Sequence, residues 1–319
     1  MTGGTGTFGM HFVKTVLGRF NPKKLIIFSR DEYKQHEMSK SFPRGKGKGD
    51  SAVRYYIGDV RDKDRLYRAF NDVEIVVHAA AMKQIPTCEY NPFEAVQTNI
   101  IGTRNVIDAA IDCGVSKVLF LSSDKAVNPV NLYGATKLCA EKMIAQGNFY
   151  SQEGKTILSC ARYGNVMGSR GSVVPLFMEQ KKSGTVTVTD VEMTRFWINM
   201  EQGVDFVFQC LDEMLGGEIF VPKAPSVRLI DLVEAIAPDC KVEKIDIRPG
   251  EKKHELLISE DESRHTWESD TMYIVEPEHW RVKQRERNAK PVPEGFEFSS
   301  RDNDKWLSKD EISSMVFDN

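Results

Sequence analysis

Short apolar runs alternate with longer stretches of helical periodicity through the first half of the chain. The apolar runs predict buried strands at 24–28, 53–57, 74–78, 117–121 and 157–161. The stretches between them predict helices over 62–71, 91–113 and 133–150. Because strands separated by helices connect through right-handed crossovers, the pattern predicts an α/β fold with a parallel, doubly wound sheet.

The alternation fades after about residue 170, and no internal repeat is visible. Residues 226–238 predict a short helix and residues 240–248 a strand. The tail from residue 260 is polar and rich in Glu, Arg, Trp and Pro. We expect it to be an extended segment that packs on the substrate side.

A glycine-rich loop opens the chain and leads directly into an apolar-periodic stretch. It reads G-x-x-G-x-x-G, and without Cβ atoms its backbone N–H groups can approach a pyrophosphate at a helix N-terminus. The alternative interpretation is a structural turn. The residues predicted to bind a dinucleotide here are Gly3, Thr5, Gly6, Thr7, Phe8 and Gly9.

One part of the expected pattern is missing before this loop. A dinucleotide fingerprint should follow a buried strand, yet only Met1 and Thr2 precede Gly3. Either the start is truncated or mis-assigned, or the sheet lacks its central strand, and we favour truncation. We expect this form to show impaired cofactor binding and stability, because a central ladder partner is lost.

Composition narrows the class of protein without defining it. A chain of 319 residues can bury a large core, and its net charge of −3 predicts no attraction to nucleic acid or membranes. No apolar run approaches about 18 residues, so we expect no membrane span. No signal peptide is present, which favours a cytoplasmic protein. Six scattered cysteines predict reduced thiols, and the cysteines and six histidines show no metal-ligand spacing.

A Y-x-x-x-K pair follows the predicted strand 117–121. Tyr133 and Lys137 share one face of a helix, and an ammonium near a phenol lowers the tyrosine pKa from about 10 toward neutrality. Such a phenolate can take a hydroxyl proton while hydride leaves the same carbon. Ser123 stands at the carboxyl end of the strand, where open α/β sheets bind ligands.

Together the glycine loop, residues 58–62, residues 78–81 and Y-x-x-x-K resemble the extended short-chain dehydrogenase/reductase family acting on nucleotide sugars. A narrower group of motifs is similar to the inverting UDP-N-acetylglucosamine 4,6-dehydratases. These motifs are residues 123–126, 128–137, 162–166, 168–175, 193–197 and 248–252. Residues 296–300 with 306–307 resemble the pseudaminic acid branch of that family.

The resemblance implies an acid and a base beside the sugar in addition to the redox tyrosine. Oxidation at C4 acidifies the C5 proton; a base then removes it while the C6 hydroxyl leaves with help from an acid. We assign Lys125 as the C5 base, which needs a depressed pKa, and Asp124 as the group that assists loss of the C6 oxygen. These roles can swap. The alternative is that Asp124 caps a turn and Lys125 is a solvated charge.

Cofactor preference is read from the end of the first predicted strand. Arg30 can pair with a 2′-phosphate, which favours NADP, whereas the acids at 31 and 32 favour NAD or simply begin a helix. The resemblance and the fold together predict further contacts at the strand ends and at a run of small residues. The additional cofactor candidates are Ser29, Asp31, Glu32, Lys34, Asp59, Val60, Ala79, Ala80, Ala81, Leu121 and Ser122.

The fold and resemblance divide the chain into two predicted parts. Residues 1–165, with later segments returning to them, form a Rossmann-like NADP-binding domain; residues 166–319 form a smaller C-terminal α/β substrate-binding region and its extension. Arg195 is either a substrate contact or part of a structural ion pair. The substrate candidates are Lys83, Asn165, Val173, Thr189, Met193, Arg248 and Glu251.

Two rival functions remain at this point. A UDP-sugar 4-epimerase shares the fingerprint and Y-x-x-x-K but needs no acid–base pair for C6 elimination, so Asp124 and Lys125 disfavour it. A catalytically inactive NADP-binding protein is the second. The resemblance also implies a homo-oligomer, a dimer or hexamer, and a downstream aminotransferase. The glycine- and lysine-rich segment 44–50 reads as a solvated loop rather than a phosphate site.

Overall fold

A large, mostly parallel sheet carries helices on both faces. The computed structural model describes residues 1–45, 51–151, 154–168, 173–278 and 288–317. Most of the predicted glycine–lysine loop, 46–50, and part of the predicted motif 168–175 lie outside these ranges. The predicted α/β class is confirmed.

The first half of the chain forms five parallel strands, and each prediction is met within two residues. The strands are β1 (Leu25–Ser29), β2 (Val53–Ile57), β3 (Ile75–His78), β4 (Lys117–Ser123) and β5 (Ile157–Tyr163). Their cores are almost wholly buried, as expected for strands covered on both faces. The continuous apolar run, rather than alternation, therefore marks β1, β3, β4 and β5, whereas in β2 only Val53 and Tyr55 are buried and Ile57 is exposed.

Helices fill the intervals between these strands. They are α1 (Thr7–Arg19), α2 (Glu32–Ser41), α3 (Lys63–Phe70), α4 (Ile85–Tyr90), α5 (Pro92–Val96), α6 (Gly102–Asp112) and α7 (Leu132–Gly147). The helix predicted over 91–113 is interrupted, because a π-helical turn, Gln97–Ile101, separates α5 from α6. Such turns often mark functional positions.

Met1 and Thr2 occupy the place of the strand expected before the glycine loop. Thr2 forms parallel bridges to both Phe28 on β1 and His78 on β3. Its N–H donates to the Val77 carbonyl over 3.1 Å. The two residues therefore join β2–β1 to β3–β4–β5, so the predicted gap in the sheet is spanned by a two-residue ladder.

The second half of the chain contributes many short strands and four helices. The strands are β6 (Asn165–Val166), β7 (Thr185–Val188), β8 (Thr194–Ile198), β9 (Ile219–Pro222), β10 (Ser226–Arg228), β11 (Lys241–Lys244), β12 (Leu256–Ile258), β13 (Thr266–Glu268), β14 (Met272–Val275), β15 (Lys290–Pro291) and β16 (Phe298–Ser299). The helices are α8 (Val173–Lys181), α9 (Met200–Glu213), α10 (Leu229–Ile236) and α11 (Lys309–Phe317).

Several later strands return to the large sheet. Beyond β5 it continues in the order β9, β14, β13 and β15, with β14 antiparallel to both neighbours. The prediction of an extended tail from residue 260 is wrong in this region, because Met272 and Ile274 lie in the main core on β14. The polar composition of this region hid short strands that differ in burial, since β14 is mostly buried, β13 buries only Thr266 and β15 is exposed.

A separate apolar cluster lies under the C-terminal helices. It joins α8, α10 and α11 to β7, with Phe177, Val186, Leu232 and Ile312 almost fully buried. The predicted helix 226–238 is shorter than expected, because residues 226–228 pair with β8 instead. The predicted strand 240–248 is limited to residues 241–244. The proposed boundary at residue 165 stays a prediction.

Candidate active site

The glycine loop packs between the sheet and the start of α1. Gly3 has φ +67°, a conformation that favours glycine. A Cβ on Gly9 would lie 2.1 Å from the Gly4 carbonyl oxygen, so α1 approaches the loop too closely for a side chain. Gly6 caps α1 and offers no side-chain hydrogen bond. The first-turn N–H groups of α1 are therefore directed at an open cleft.

This dinucleotide cleft has a volume of ≈ 350 Å³. The cofactor candidates from the glycine loop, the ends of β1 to β3 and the small residues 79–81 line it, except Glu32, which is exposed one residue further along. Leu121 and Ser122, at the end of β4, do not line this cleft. The predicted lining residues are Gly3, Thr5, Gly6, Thr7, Phe8, Gly9, Ser29, Arg30, Asp31, Lys34, Asp59, Val60, Ala79, Ala80 and Ala81. Phe28, Gly58 and Thr98 also line it and were not predicted.

At the end of β1 the acidic side chains are already engaged. The Asp31 carboxylate accepts from the Lys34 N–H over 2.9 Å and caps α2, so the helix-cap alternative describes this residue correctly. Glu32 lies in the first helical turn. Arg30 is more than half exposed at the cleft, 3.6 Å from the Asp59 carboxylate. The site therefore presents a guanidinium, not a free carboxylate, from this position.

A second cleft of ≈ 300 Å³ continues from the first. The two share Phe8, Ala79, Ala81 and Lys83, so they form one groove along the carboxyl edge of the sheet. The predicted residues in this catalytic cleft are Leu121, Ser122, Ser123, Asp124, Lys125, Tyr133, Lys137 and Asn165. Gln84, Tyr163, Gly164, Val166 and Met200 complete it and were not predicted.

The turn after β4 fixes Asp124 and Lys125 side by side. Ser123 begins a short 3₁₀ turn, and its Oγ accepts from the Lys125 N–H over 3.3 Å and donates to Asp124 Oδ1 over 2.7 Å. Asp124 is 1 % exposed, and the Lys125 ammonium donates to both of its oxygens, at 3.0 and 3.2 Å. Ser123, not Asp124, caps the turn, and Lys125 is paired with Asp124 rather than solvated. Both parts of the alternative interpretation are therefore wrong.

Glu255 completes this group from the far end of the chain. Its carboxylate Oε1 lies 3.2 Å from the Lys125 Nζ and 3.8 Å from the Arg195 Nε. Its backbone is held in place because the Ser300 N–H donates to its carbonyl and its own N–H donates to Ser300 Oγ. No spacing rule connects positions 125 and 255, and the residue lies just past the motif 248–252, so sequence reasoning missed it.

The expectation of a depressed Lys125 pKa is wrong for the protein without ligands. Burial lowers this pKa, but the negative charges of Asp124 and Glu255 outweigh burial and the opposing charge of Arg195. The net effect raises the pKa above its ordinary value. In this state Lys125 is an ammonium between two carboxylates, and it must lose a proton before it can serve as a base.

Helix α7 places Tyr133 and Lys137 in the same cleft. Asn131 caps the helix by accepting from the Gly134 N–H over 2.8 Å. A Cβ on Gly134 would lie 2.1 Å from the Lys125 carbonyl oxygen, so glycine lets α7 pack onto the 3₁₀ turn. This close approach brings the Tyr133 phenol beside the turn that carries Lys125.

The pKa of Tyr133 also differs from the expectation. Burial raises it to about 12, opposed by the charge of Lys125 and a hydrogen bond with Ser123. Lys137 instead donates to the Leu121 carbonyl over 2.6 Å and lies 3.9 Å from the centre of the Phe120 ring. Burial lowers the pKa of Lys137 to about 8. In the absence of ligand, therefore, the cation that acts on the phenol is Lys125 rather than Lys137.

Unpaired polar atoms mark the groove as a binding site. Among the described residues, five buried side-chain atoms have no hydrogen-bond partner: Thr98 Oγ1, Ser122 Oγ, Asn165 Oδ1, Glu251 Oε2 and Glu255 Oε2. Three of them line the two clefts. Because buried polar atoms are normally satisfied, these atoms fit a ligand that supplies the missing partners.

The remaining substrate candidates are not all brought to the groove. Lys83 and Asn165 line it, whereas Glu251 lies in a neighbouring cavity of ≈ 500 Å³ and pairs with Arg195 over 3.3 Å. The structure leaves the other four outside the clefts. Thr189 and Met193 are buried against each other, Val173 packs on the C-terminal apolar cluster, and Arg248 is exposed.

A buried ion cluster supports α7 from below. Arg162 on β5 donates from Nε to Glu141 Oε1 over 2.9 Å and from Nη2 to Glu262 Oε1 over 2.8 Å. Arg162 and Glu141 are essentially inaccessible, and the Arg162 Nη1 also donates to the Leu257 carbonyl. Since Glu141 lies one helical turn after Lys137, this cluster ties the catalytic helix to the C-terminal segment.

Fold and groove together define an α/β protein of the extended short-chain dehydrogenase/reductase type. The glycine loop, the continuous groove and the tyrosine–lysine face of α7 are its determinants. The chain belongs to the polysaccharide biosynthesis protein family, whose sequence profile matches residues 1–277. Among the described residues, no helix is long and apolar enough to cross a membrane, and no group of three acidic, His or Cys side chains could hold a metal.

Two curated relatives carry different names. The UDP-N-acetylglucosamine 4,6-dehydratase (inverting) of Campylobacter jejuni is 46 % identical, with 99 % of this chain and 96 % of that protein covered. The UDP-glucose 4-epimerase of Rickettsia akari is 42 % identical, with 82 % and 77 % covered. The resemblance to inverting dehydratases is confirmed over nearly the whole chain.

Solved structures agree on the fold. Pen from Bacillus thuringiensis matches with a TM-score of 0.90 at 40 % identity, covering 99 % of this chain and 96 % of that one. DesIV, a dTDP-glucose 4,6-dehydratase from Streptomyces venezuelae solved with NAD, matches with a TM-score of 0.67 at 21 % identity, covering 79 % and 85 %. The second likeness shows the fold alone.

Proposed function

We propose that the protein is a lyase that dehydrates UDP-N-acetylglucosamine to a UDP-4-keto-6-deoxy-N-acetylhexosamine with inversion at C5. The observation that carries this proposal is the pairing of Asp124 and Lys125 at 3.0 Å beside Tyr133, in a groove continuous with the glycine loop. A simple oxidoreductase or epimerase needs the tyrosine but not the acid–base pair. The name of the Campylobacter relative supports the same reaction.

The groove fits a nicotinamide dinucleotide. The open N-terminus of α1 and the loop that no Cβ could enter suit a pyrophosphate, and Thr98 and Ser122 offer unpaired hydroxyls. Such a cofactor, when bound, supplies reversible storage of a hydride. We prefer NADP, because Arg30 faces the cleft while the Asp31 carboxylate is occupied as a helix cap.

Tyr133 takes the proton of the C4 hydroxyl in this proposal. Burial alone opposes the phenolate, so nearby positive charge has to lower the tyrosine pKa. Lys125 acts on the phenol, and Lys137 adds a second cation one helical turn along the same face. Tyr133 therefore becomes a usable base only where the positive charges of the two lysines act strongly on its phenol, as they do in a groove from which water is excluded.

Asp124 and Lys125 carry out the elimination. Moving one proton from the Lys125 ammonium to Asp124 turns the resting pair into a neutral amine and a carboxylic acid. The amine then removes the C5 proton, which the C4 ketone has acidified, and the acid donates to the departing C6 oxygen. The elimination leaves a double bond between C5 and C6. Return of the stored hydride to C6 and of a proton to C5 from the opposite face gives the C6 methyl group and inverts C5.

Lys83 and Asn165 are the proposed contacts to the nucleotide sugar within the groove. Both line the catalytic cleft, and Asn165 Oδ1 lacks a protein partner there. Val173, Thr189, Met193, Arg248 and Glu251 stay candidates that depend on a rearrangement around the substrate. We further propose that the product enters pseudaminic acid synthesis through an aminotransferase. The homo-oligomer and the cytoplasmic location stay predictions.

A 4-epimerase is the second candidate, favoured by the name of the Rickettsia relative. One experiment separates the functions: incubate the protein with NADP and UDP-N-acetylglucosamine in D₂O and follow the sugar by NMR. Deuterium at C5 together with a new C6 methyl group establishes the dehydratase. A galacto product without C5 deuterium establishes the epimerase, and an unchanged sugar leaves only a binding protein.

A further inference from the structure

Glu255 is a buried carboxylate that the simplest acid–base scheme leaves without a task. It is 2 % exposed, and its Oε1 lies 3.2 Å from the Lys125 Nζ. Its Oε2 is buried without a partner among the described residues. Burying a carboxylate with an unsatisfied oxygen is costly, so the arrangement calls for a compensating role.

The proton transfers of the elimination give Glu255 such a role. This role rests on the proposed dehydratase function. When the Lys125 amine removes the C5 proton, an N–H bond forms, a C–H bond breaks, and Lys125 becomes an ammonium. At that moment Asp124 is a neutral acid or is donating to the C6 oxygen, so it offers little negative charge to Nζ. Glu255 is then the other carboxylate within 4 Å of Nζ among the described residues.

The surroundings hold Glu255 in place and set a second cation beside it. Arg195, 10 % exposed, lies 3.8 Å from its Oε1, and hydrogen bonds with Ser300 hold its backbone on both sides. The free Oε2 gives the ammonium a second acceptor when Asp124 turns to the substrate. The titratable and charged groups that act on Lys125 or respond to its charge are Asp124, Glu255, Arg195, Tyr133 and Lys252.

We propose that Glu255 is a positioning residue of the elimination step: its carboxylate holds the Lys125 side chain and stabilises the ammonium that forms as the C5 proton is taken. This role of Glu255 is like that of the buried aspartate that orients and stabilises a histidine base in hydrolases. Asp124 serves the leaving oxygen, and Glu255 serves the base. Three charged residues from two distant parts of the chain therefore act as one unit.

The test replaces Glu255 with the isosteric glutamine. We expect Glu255→Gln to lower kcat about 10- to 100-fold, the range of one lost charge partner, while KM for UDP-N-acetylglucosamine changes less than about threefold. Deuterium uptake at C5 should fall in parallel with kcat. Because the Lys125 pKa drops when the negative charge is lost, the acidic limb of the kcat–pH profile should move to lower pH, and the deficit should shrink as pH falls.

Two further variants control the result. Glu255→Asp keeps the charge and should recover part of kcat and the position of the pH limb. Glu268→Gln breaks a partly buried pair with Lys223, at 2.8 Å, remote from the groove, and should leave kcat and the pH limb unchanged. Thermal melting of all three variants, with and without NADP, identifies any loss of folding or cofactor binding.

The outcomes are separable. An active wild type with an unshifted pH limb in Glu255→Gln overturns the inference, as does equal loss of activity in Glu255→Gln and Glu255→Asp. If Glu255→Gln does not fold, the kcat of Glu255→Asp decides: wild-type kcat and wild-type deuterium uptake at C5 overturn the inference, because the shorter side chain loses the 3.2 Å contact with Lys125. A wild type that leaves the sugar unchanged refutes the proposed function, and this inference with it.

Discussion

Lys125 and Lys137 lie in the same cleft, yet their surroundings differ in charge. Lys125 stands between Asp124 and Glu255, and its pKa is above the ordinary value. Lys137 faces a backbone carbonyl and an aromatic ring, and burial lowers its pKa to about 8. Burial is common to both, so the neighbouring carboxylates decide which lysine holds its proton. Lys125 therefore keeps its proton to a higher pH than an ordinary lysine, whereas keeping Lys137 protonated lowers the stability of the folded protein.

The largest expected effect tests whether the groove performs redox chemistry at all. Tyr133→Phe removes the hydroxyl that accepts the substrate proton and should lower turnover about 10³- to 10⁴-fold. Product formation followed by NMR measures the loss. Tyr55→Phe removes a hydroxyl bonded to the Phe42 carbonyl in another apolar cluster and should leave turnover unchanged. Comparable turnover in wild type and Tyr133→Phe contradicts the assignment.

Lys125→Met should separate the two halves of the reaction. Loss of the amine should abolish deuterium uptake at C5 and reduce product about 10²- to 10³-fold, while oxidation at C4 continues in part. Mass spectrometry of the sugar after incubation in D₂O gives the C5 readout. Lys223→Met, which removes an ammonium paired with Glu268, is the matched control. Full dehydratase activity in Lys125→Met would place the base elsewhere.

Lys137→Met should change the pH dependence of stability. Folding lowers the pKa of Lys137 from 10.5 to about 8, so the unfolded chain binds this proton more tightly. The penalty is fully present below about pH 8, and it disappears as the pH rises to about 10.5. The free energy of unfolding of the wild type should therefore gain up to about 3 kcal/mol over this window relative to Lys137→Met.

The difference in unfolding free energy between the wild type and Lys137→Met is more informative than either value alone. Lys137→Met also leaves the Leu121 carbonyl without its donor, which costs about 1–3 kcal/mol at every pH. Urea unfolding at several pH values separates the constant cost from the pH-dependent part. A difference in unfolding free energy that stays constant from pH 7 to pH 10 would show that the buried ammonium carries no such penalty.

The smallest expected effect concerns cofactor preference. Arg30→Ala should weaken NADP binding about tenfold, or about 1.4 kcal/mol, and NAD binding less than about twofold. Calorimetric titration of each dinucleotide measures both affinities. Arg19→Ala removes an exposed guanidinium that pairs with Asp205 on the outer helices and should change neither. Equal weakening of NADP and NAD would assign Arg30 to a shared part of the cofactor.

Local pattern predicted much of the fold because buried parallel strands are continuous apolar runs. The predicted strand 117–121 and helix 133–150 correspond to β4 and α7, with shifts of up to three residues at their ends. Because the motifs 123–126 and 128–137 join these two elements, Asp124, Lys125 and Tyr133 could be grouped from the sequence. The later strands could not be found in the same way. β13 is short and partly exposed, and β15 is short and exposed. β13 is stabilised by pairing with β14, and β15 by pairing with β13, contacts that no local pattern records.

The electrostatics of the site were the least predictable part. The pKa of Lys125 depends on Asp124 and also on Glu255, which is 130 positions away in the chain. The pKa of Tyr133 depends on a burial that only packing reveals. The π-helical turn that presents Thr98 to the cleft likewise follows from the interruption of a helix that sequence periodicity treats as continuous. Residue identity indicated which side chains could act as acid or base, whereas packing determined their pKa values.

The cluster of Arg162, Glu141 and Glu262 gives the C-terminal segment an unexpected status. A chain cut before residue 262 would leave Arg162 one carboxylate short in a site closed to water, a change that costs about 3–5 kcal/mol for buried pairs. That strain would fall on α7, the helix that presents Tyr133. The tail thus holds the catalytic helix in place, and its proteolytic removal should abolish activity both through α7 and through the loss of Ser300, which holds Glu255 beside Lys125.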